Sequence, residues 1–172
     1  PPFQMWLQQK VPGVTAMSEL TGSKGVAQAR RIAEAIHKLH DSAITPRRRH
    51  TMTDELQILH DQLPRVAQLR PQWSDRLERL LDACDQMGAA TPQHLLCGIH
   101  RDFYPDQVIV DGPRVYLLDF DLYCEGDPAL DIGNFLGHMV EYSLRKLGNP
   151  DALADQQQAL VERYLQLAGP QF

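Results

Sequence analysis

Apolar residues recur at helical spacing in five stretches of the chain. Over 24–41, Ala27, Ile32, Ala35, Ile36 and Leu39 lie close to one stripe, with Arg30, Arg31, Glu34 and Lys38 mostly opposite. That pattern predicts an amphipathic helix, with Ser23 as a candidate N-cap. Over 52–69, Leu56, Leu59, Leu63, Val66 and Leu69 recur at three and four, and Pro64 is expected to kink or divide the helix. A third helix is expected over 72–87, with Trp73, Leu77, Leu80, Leu81 and Cys84 on its buried stripe and Gly88 as a stop. After Asp127-Pro128, an N-cap followed by a first-position proline, the spacing returns at Leu130, Phe135, Met139, Tyr142 and Leu147. A last helix is expected over 150–167. His37, His40 and His138 read as helix-packing residues, and Trp73 and Tyr142 as core.

Between these helices the period changes. Gln107-Val108-Ile109-Val110 and Val115-Tyr116-Leu117-Leu118 are short strand-like runs joined by Asp111-Gly112-Pro113-Arg114, a hairpin signal. His94 to Ile99 forms a short apolar run ahead of His100, and residues 3–7 read as a short strand or extended strap. Residues 14–22 read as a connector and 42–50 as a polar loop. The fold class expected is mainly α with one small β-hairpin.

Composition narrows the classes. The chain has 172 residues, 43% hydrophobic and 23% charged, which excludes collagen-like, disordered and coiled-coil readings. No apolar run approaches the roughly 18 residues of a membrane span. A net charge of −5 argues against a general nucleic-acid binder, and Arg47-Arg48-Arg49 reads as a solvated loop. Three spaced cysteines, Cys84, Cys97 and Cys124, give no disulfide framework or zinc motif. They fit a reducing, cytoplasmic setting.

The acidic excess is local. Residues 100–131 hold Asp102, Asp106, Asp111, Asp119, Asp121, Glu125, Asp127 and Asp131 against Arg101 and Arg114, a net −6, while all other residues carry +1. Such a cluster calls for a cation or cationic partner. Within it, HRDFYPDQ (100–107) and LLDFD (117–121) place Asp102, Gln107 and Asp119 at the ends of the hairpin strands. Magnesium takes one or two carboxylates together with waters and substrate phosphates, and a further Asp beside it can accept a hydroxyl proton. The residues therefore point to a phosphate–metal site with a general base.

The pattern H-x-D-x-x-x-x-N, a hairpin and then an Asp resembles the protein-kinase fold. With Gly126-Asp127-Pro128-Ala129-Leu130-Asp131 following, it resembles the aminoglycoside phosphotransferase family, which includes choline-kinase-like small-molecule kinases. Ile36-His37-Lys38-Leu39-His40 is similar to the family's L-x-x-L-H helix end, and Trp6–Gly13 to its hinge strap; the likeness covers roughly 3–168. It implies Asp102 as catalytic base and Asp119 as the ligand of magnesium ions bridging ATP phosphates. Gln107 stands where the family has Asn, a second metal ligand. His100 and Asp131 would brace the catalytic loop, with Asp121 and Asp127 in support. Backbone near Leu7, Gln8 and Gln9 would meet adenine. The implied cofactors are ATP and Mg2+.

Two departures shape the expectation. Gln107 carries its amide one methylene further out than Asn. Moreover, the phosphate-covering loop and ATP-pairing Lys of the kinase fold have no counterpart, since Lys10 and Lys24 lack a glycine-loop-and-strand context. Residues 1–13 are thus expected to be a strap from a missing N-terminal lobe, and 14–172 a C-terminal lobe with the catalytic hairpin near 94–121. The reading is the catalytic lobe of an ATP- and magnesium-dependent phosphotransferase acting on a small-molecule hydroxyl, inactive as an isolated fragment. Its acceptor pocket is expected from the helices at 51–88 and 128–167, and the acidic balance suits a cationic acceptor. The alternative is a non-catalytic, pseudokinase-like binding or regulatory module. A metal-dependent phosphohydrolase ranks last, for want of a second His/Asp metal set. Oligomeric state is left open.

Overall fold

The computed structural model describes residues 9–92 and 96–169. The strand expected at 3–7 lies outside them, as do Leu7, Gln8, His94 and Leu95. The chain runs β1 (Val14–Thr15), α1 (Ala16–Leu20), α2 (Gly25–His40), α3 (Met52–Leu69), α4 (Ser74–Ala90), β2 (Cys97–Ile99), β3 (Val108–Asp111), β4 (Arg114–Leu117), β5 (Cys124–Gly126), α5 (Pro128–Tyr142) and α6 (Ala154–Ala168). Among the described residues, no helix is long and apolar enough to cross a membrane.

Helix α2 is the centre of the core. Its stripe of Ala29, Ile32, Ala33 and Ile36 is fully buried and packs with Leu160 and Tyr164 of α6, Phe135 and Met139 of α5, and Phe103 and Val108. Of the predicted stripe only Ile32 and Ile36 are buried; Ala35 and Leu39 lie at its edge and Ala27 is exposed, because the buried face is turned toward Gln28, Ala29, Ala33 and His40, and the helix is entered through Lys24 with no side-chain cap rather than through Ser23. The hairpin forms in the expected register, Val108 opposite Leu117 and Asp111 opposite Arg114. Gly112 supplies the positive φ, 50°, that a two-residue hairpin turn requires. Residues 14–20 are not a connector. Val14 pairs with Val110, making β1 an edge strand of a β1-β3-β4 sheet, and α1 follows at once.

Helices α3 and α4 depart most from expectation. Both form, but neither has a buried residue, and Trp73 is half exposed in a 3₁₀ turn between them. Their stripes face each other in a two-helix hairpin instead of joining the core. Pro64 does not divide α3, which starts with a reciprocal cap between Thr51 and Asp54. Gly88 lies inside α4 rather than ending it: a Cβ there would stand 2.8 Å from Leu56 Cδ1, so the glycine permits close approach of α3. Helix α5 begins as predicted, with the Asp127 carboxylate accepting from Ala129 N at 2.9 Å and Pro128 at the first position. Past Tyr142 it widens into one π-helical turn, Ser143–Leu147, and Gly148 at φ 70° ends it.

Candidate active site

The loop between β2 and β3 alternates anchors and functional groups. Phe103, Pro105 and Val108 are buried, whereas Asp102, Tyr104 and Gln107 are half-buried. Phe103 packs on Phe135 of α5 with ring centroids 4.8 Å apart, and its carbonyl accepts from Asn134 Nδ2 at 3.2 Å. The apolar residues thus plug the loop into the core, and the side chains between them are left facing outward.

Three predicted residues meet at this point. The Gln107 amide lies 3.4 Å from a carboxylate oxygen of Asp102 and 3.4 Å from one of Asp119. They arrive from two loops: Gln107 enters β3, and Asp119 follows β4, with Leu118 N donating to Gln107 O at 2.9 Å to tie the loops together. Asp119 is exposed with φ 59°, and Arg101 beside Asp102 has φ 71°. Among the described residues these are the two non-glycines at positive φ, and they flank the same site. Left-handed backbone costs a non-glycine roughly 1–2 kcal/mol, and such residues persist where surrounding contacts over-determine them.

Those contacts are visible. Asp131, on the first turn of α5 and fully buried, accepts from His100 N at 2.8 Å and Arg101 N at 2.7 Å. His40 Nε2 lies 2.9 Å from the same carboxylate, and His40 Nδ1 lies 2.8 Å from the Tyr164 hydroxyl. His100 donates from Nε2 to Leu118 O at 2.7 Å, bridging the β2–β3 loop and the loop after β4. A carbonyl only accepts, so His100 carries its hydrogen on Nε2. Asp121 is exposed and joins through its backbone N–H, 3.4 Å from Asp119 Oδ1. Asp127 serves as the cap of α5. Gln9, the one expected hinge residue among those described, is exposed.

Sequence reasoning missed three contributors. Tyr104 stacks on His138 at 4.6 Å. Its phenol is pushed above the ordinary value, first by burial and then by the negative charge of Asp102, Asp106 and Asp119. Glu55 meets Arg101 at 3.7 Å and His50 at 2.6 Å, and His50 N donates to Glu125 O at 2.8 Å. This anchors the start of α3 beside the β2–β3 loop. The third is Tyr164. Helix spacing alone places none of them near the site.

The donor set fits magnesium. The Gln107 atom that faces both carboxylates is Nε2, a donor; with the amide turned over to present Oε1, Gln107 and the carboxylates of Asp119 and Asp102 leave positions for phosphate oxygens, the arrangement that magnesium favours over an all-protein cage. The described residues hold no cluster of three His, Cys, Asp or Glu that could bind a metal by itself. An open cleft of about 400 Å³ borders the loop, lined by Thr15, Thr21, Tyr104, Asp106, His138 and Arg145 among others. Helix α5 lines it through His138, Glu141 and Tyr142, and no residue of α3 or α4 does.

Known proteins resemble this chain in family and in fold. The phosphotransferase enzyme family matches residues 2–170. No curated protein matches the sequence. Among solved structures, a choline/ethanolamine kinase family protein from Mesorhizobium loti is similar at 21% identity and TM-score 0.64, over 90% of this chain and 48% of that one. A glucosamine kinase is similar at 18% and 0.60, over 90% of this chain and 43% of that one. An aminoglycoside phosphotransferase from Streptomyces rimosus, solved with ADP and streptomycin, is similar at 18% and 0.62, over 90% and 61%. The chain thus spans about half the length of the solved structures it resembles, and its fold is the helical C-terminal lobe of the protein-kinase-like architecture. The match over nearly every residue shows that the chain belongs to the phosphotransferase enzyme family.

Proposed function

We propose that this chain is the catalytic lobe of an ATP- and magnesium-dependent enzyme that transfers a phosphoryl group to a hydroxyl of a small molecule. One observation carries the reading: Asp102, Gln107 and Asp119 converge from two loops, with the Gln107 amide 3.4 Å from each carboxylate. Asp119 and Gln107 would hold magnesium, which when bound neutralises charge on the phosphates and orients them. Asp102 orients the acceptor hydroxyl and takes its proton. The buried anchors on each side of the loop keep these groups in place, and catalysis by positioning requires that rigidity. A nucleotide-binding lobe preceding residue 14 would supply the phosphate-covering loop and the ATP-pairing Lys.

The acceptor approaches along the acidic loop and the cleft beside Tyr104, where Asp106 suits an amino-bearing alcohol or sugar. The neighbours solved with streptomycin or glucosamine lend support to that class. The test is phosphate transfer by the protein carrying this chain together with its nucleotide-binding lobe. Asp102→Asn is expected to lower kcat by at least a hundredfold, the usual contribution of a positioned base. Undiminished turnover would refute the base assignment.

Gln107 supports a second reading. Its amide is one methylene longer than the Asn of the resembled motif, and magnesium tolerates little geometric error. A lobe that binds nucleotide but does not turn it over would show magnesium-dependent ADP affinity with no transfer, and Gln107→Asn would then gain activity.

A further inference from the structure

Tyr164 lies on α6, buried, 124 positions along the chain from His40 and on no loop of the site. Its ring is held edge-on by two histidines of α2, His37 at 5.8 Å and 67° and His40 at 5.6 Å and 80°. Its hydroxyl is 2.8 Å from His40 Nδ1. The opposite ring nitrogen, Nε2, is 2.9 Å from Asp131 Oδ2. Both oxygens of Asp131 already receive backbone hydrogens, Oδ2 from His100 N at 2.8 Å and Oδ1 from Arg101 N at 2.7 Å. A carboxylate that accepts on both oxygens needs a hydrogen, not a lone pair, from its third partner. His40 must therefore present N–H at Nε2.

A neutral imidazole has two tautomers, and the hydrogen bond at one nitrogen decides which hydrogen the other carries. We propose that Tyr164 is a positioning residue: its O–H donates to His40 Nδ1, holding His40 in the Nε2–H form that Asp131 requires to clamp the backbone of His100 and Arg101 next to Asp102. Helix α6 is thereby coupled through α2 and α5 to the loop bearing the base. Burial pushes the Tyr164 phenol well above its ordinary value, with Cys97, Asp131 and Asp127 adding to it, so the donor keeps its hydrogen. The proposal deepens the function proposed above, because the loop it holds carries Asp102. The contacts that carry it are nonetheless independent of any turnover.

The test is made on this chain. Two-bond ¹⁵N–¹H spectra of the histidine side chains should show His40 as the Nε2–H tautomer with a hydrogen-bonded, unprotonated Nδ1. Tyr164→Phe should shift the Nδ1 resonance toward that of a free lone pair. It should also speed amide exchange at His100 and Arg101 by roughly tenfold, the effect of one buried hydrogen bond, with exchange in the α3–α4 hairpin unchanged. An Nδ1–H tautomer or an imidazolium in the unsubstituted chain overturns the proposal, and that spectrum decides the matter even if the variant does not fold. Equal acceleration at all amides, or none at His100 and Arg101, also overturns it. In the protein with its nucleotide-binding lobe, Tyr164→Phe should lower kcat with little change in the KM for nucleotide. If Asp102→Asn proves harmless while the His40 spectrum is as expected, the function proposed above fails and this one stands.

Discussion

Replacing Asp131 with asparagine is the most informative single change, because it keeps the shape and removes one acceptor. Asp131 is fully buried and accepts from His100 N, Arg101 N and His40 Nε2 at 2.7–2.9 Å. An asparagine offers one oxygen and one NH2. With the oxygen toward Arg101 N, the NH2 faces both His100 N–H and His40 Nε2. His40 can relieve half of that clash by changing tautomer, which reverses its bond with Tyr164 so that the hydroxyl accepts. With the oxygen in the Oδ2 place instead, His100 N and His40 Nε2 are both served and the Arg101 N–H is stranded, so one backbone N–H lacks a partner in either orientation. A buried donor without a partner costs about 1–3 kcal/mol, and replacing a charged acceptor by a neutral one costs about a further 1 kcal/mol. The sum is about 2–4 kcal/mol, a large share of the roughly 5–15 kcal/mol that holds a domain folded. In urea titrations followed by far-ultraviolet circular dichroism, the midpoint should fall by about 1–2 M, given slopes of about 1–3 kcal/mol per M. Asp121→Asn is the control. That side chain is exposed, and its substitution should stay within about 0.5 kcal/mol of the parent. Equal midpoints for the two variants would refute the claim that Asp131 clamps the loop.

Arg101 is held at φ 71°, so Arg101→Gly should be more stable than Arg101→Ala by about 0.5–1 kcal/mol, the left-handed cost less the entropy of glycine. Both variants lose the partly exposed contact with Glu55, so a chemical denaturation comparison isolates the backbone contribution, and an alanine variant at least as stable as the glycine one would contradict it. The Cys97 thiol is pushed up to about 12 by burial and the nearby Asp131 and Asp127 charges. Its thiolate fraction at pH 8 is then only about one in ten thousand, and its alkylation by iodoacetamide should keep rising up to pH 10. A plateau near pH 9 would show an ordinary, accessible thiol.

Legibility in the sequence followed how local each signal was. The hairpin turn at Gly112-Pro113 and the Asp127-Pro128 helix start depend on residues adjacent in the chain, and both formed where expected. Helices α2, α3 and α4 were readable as helices because period alone reveals a helix. What covers a stripe is a different matter. Leu59 and Leu63 have the same spacing as Ile32 and Ile36, yet α2 is buried by α6 and the hairpin strands, while α3 and α4 cover only each other. Gly88 looked like a stop because glycine ends helices. Its actual role, admitting Leu56, depends on a partner helix some thirty residues away.

The site divides along the same line, and the division explains its construction. Asp102, Gln107 and Asp119 were legible because chemistry demands certain residue types at fixed spacing along two short loops. Tyr164 and Glu55 were not, because a supporting group can come from any element that happens to pass, and its residue type is shared with ordinary packing positions. Yet support is what the geometry needs. Two loops that carry strained backbone at Arg101 and Asp119 would relax if left alone. They are held because Asp131 binds the first, His100 ties the first to the carbonyl of Leu118, and Phe103 sinks the loop into the core. Part of the restraint therefore comes from far along the chain, from Asp131 on α5 and His40 on α2. A change in α2 or α6 should disturb Asp102 without touching it, and a change at Asp119 should leave the restraint intact.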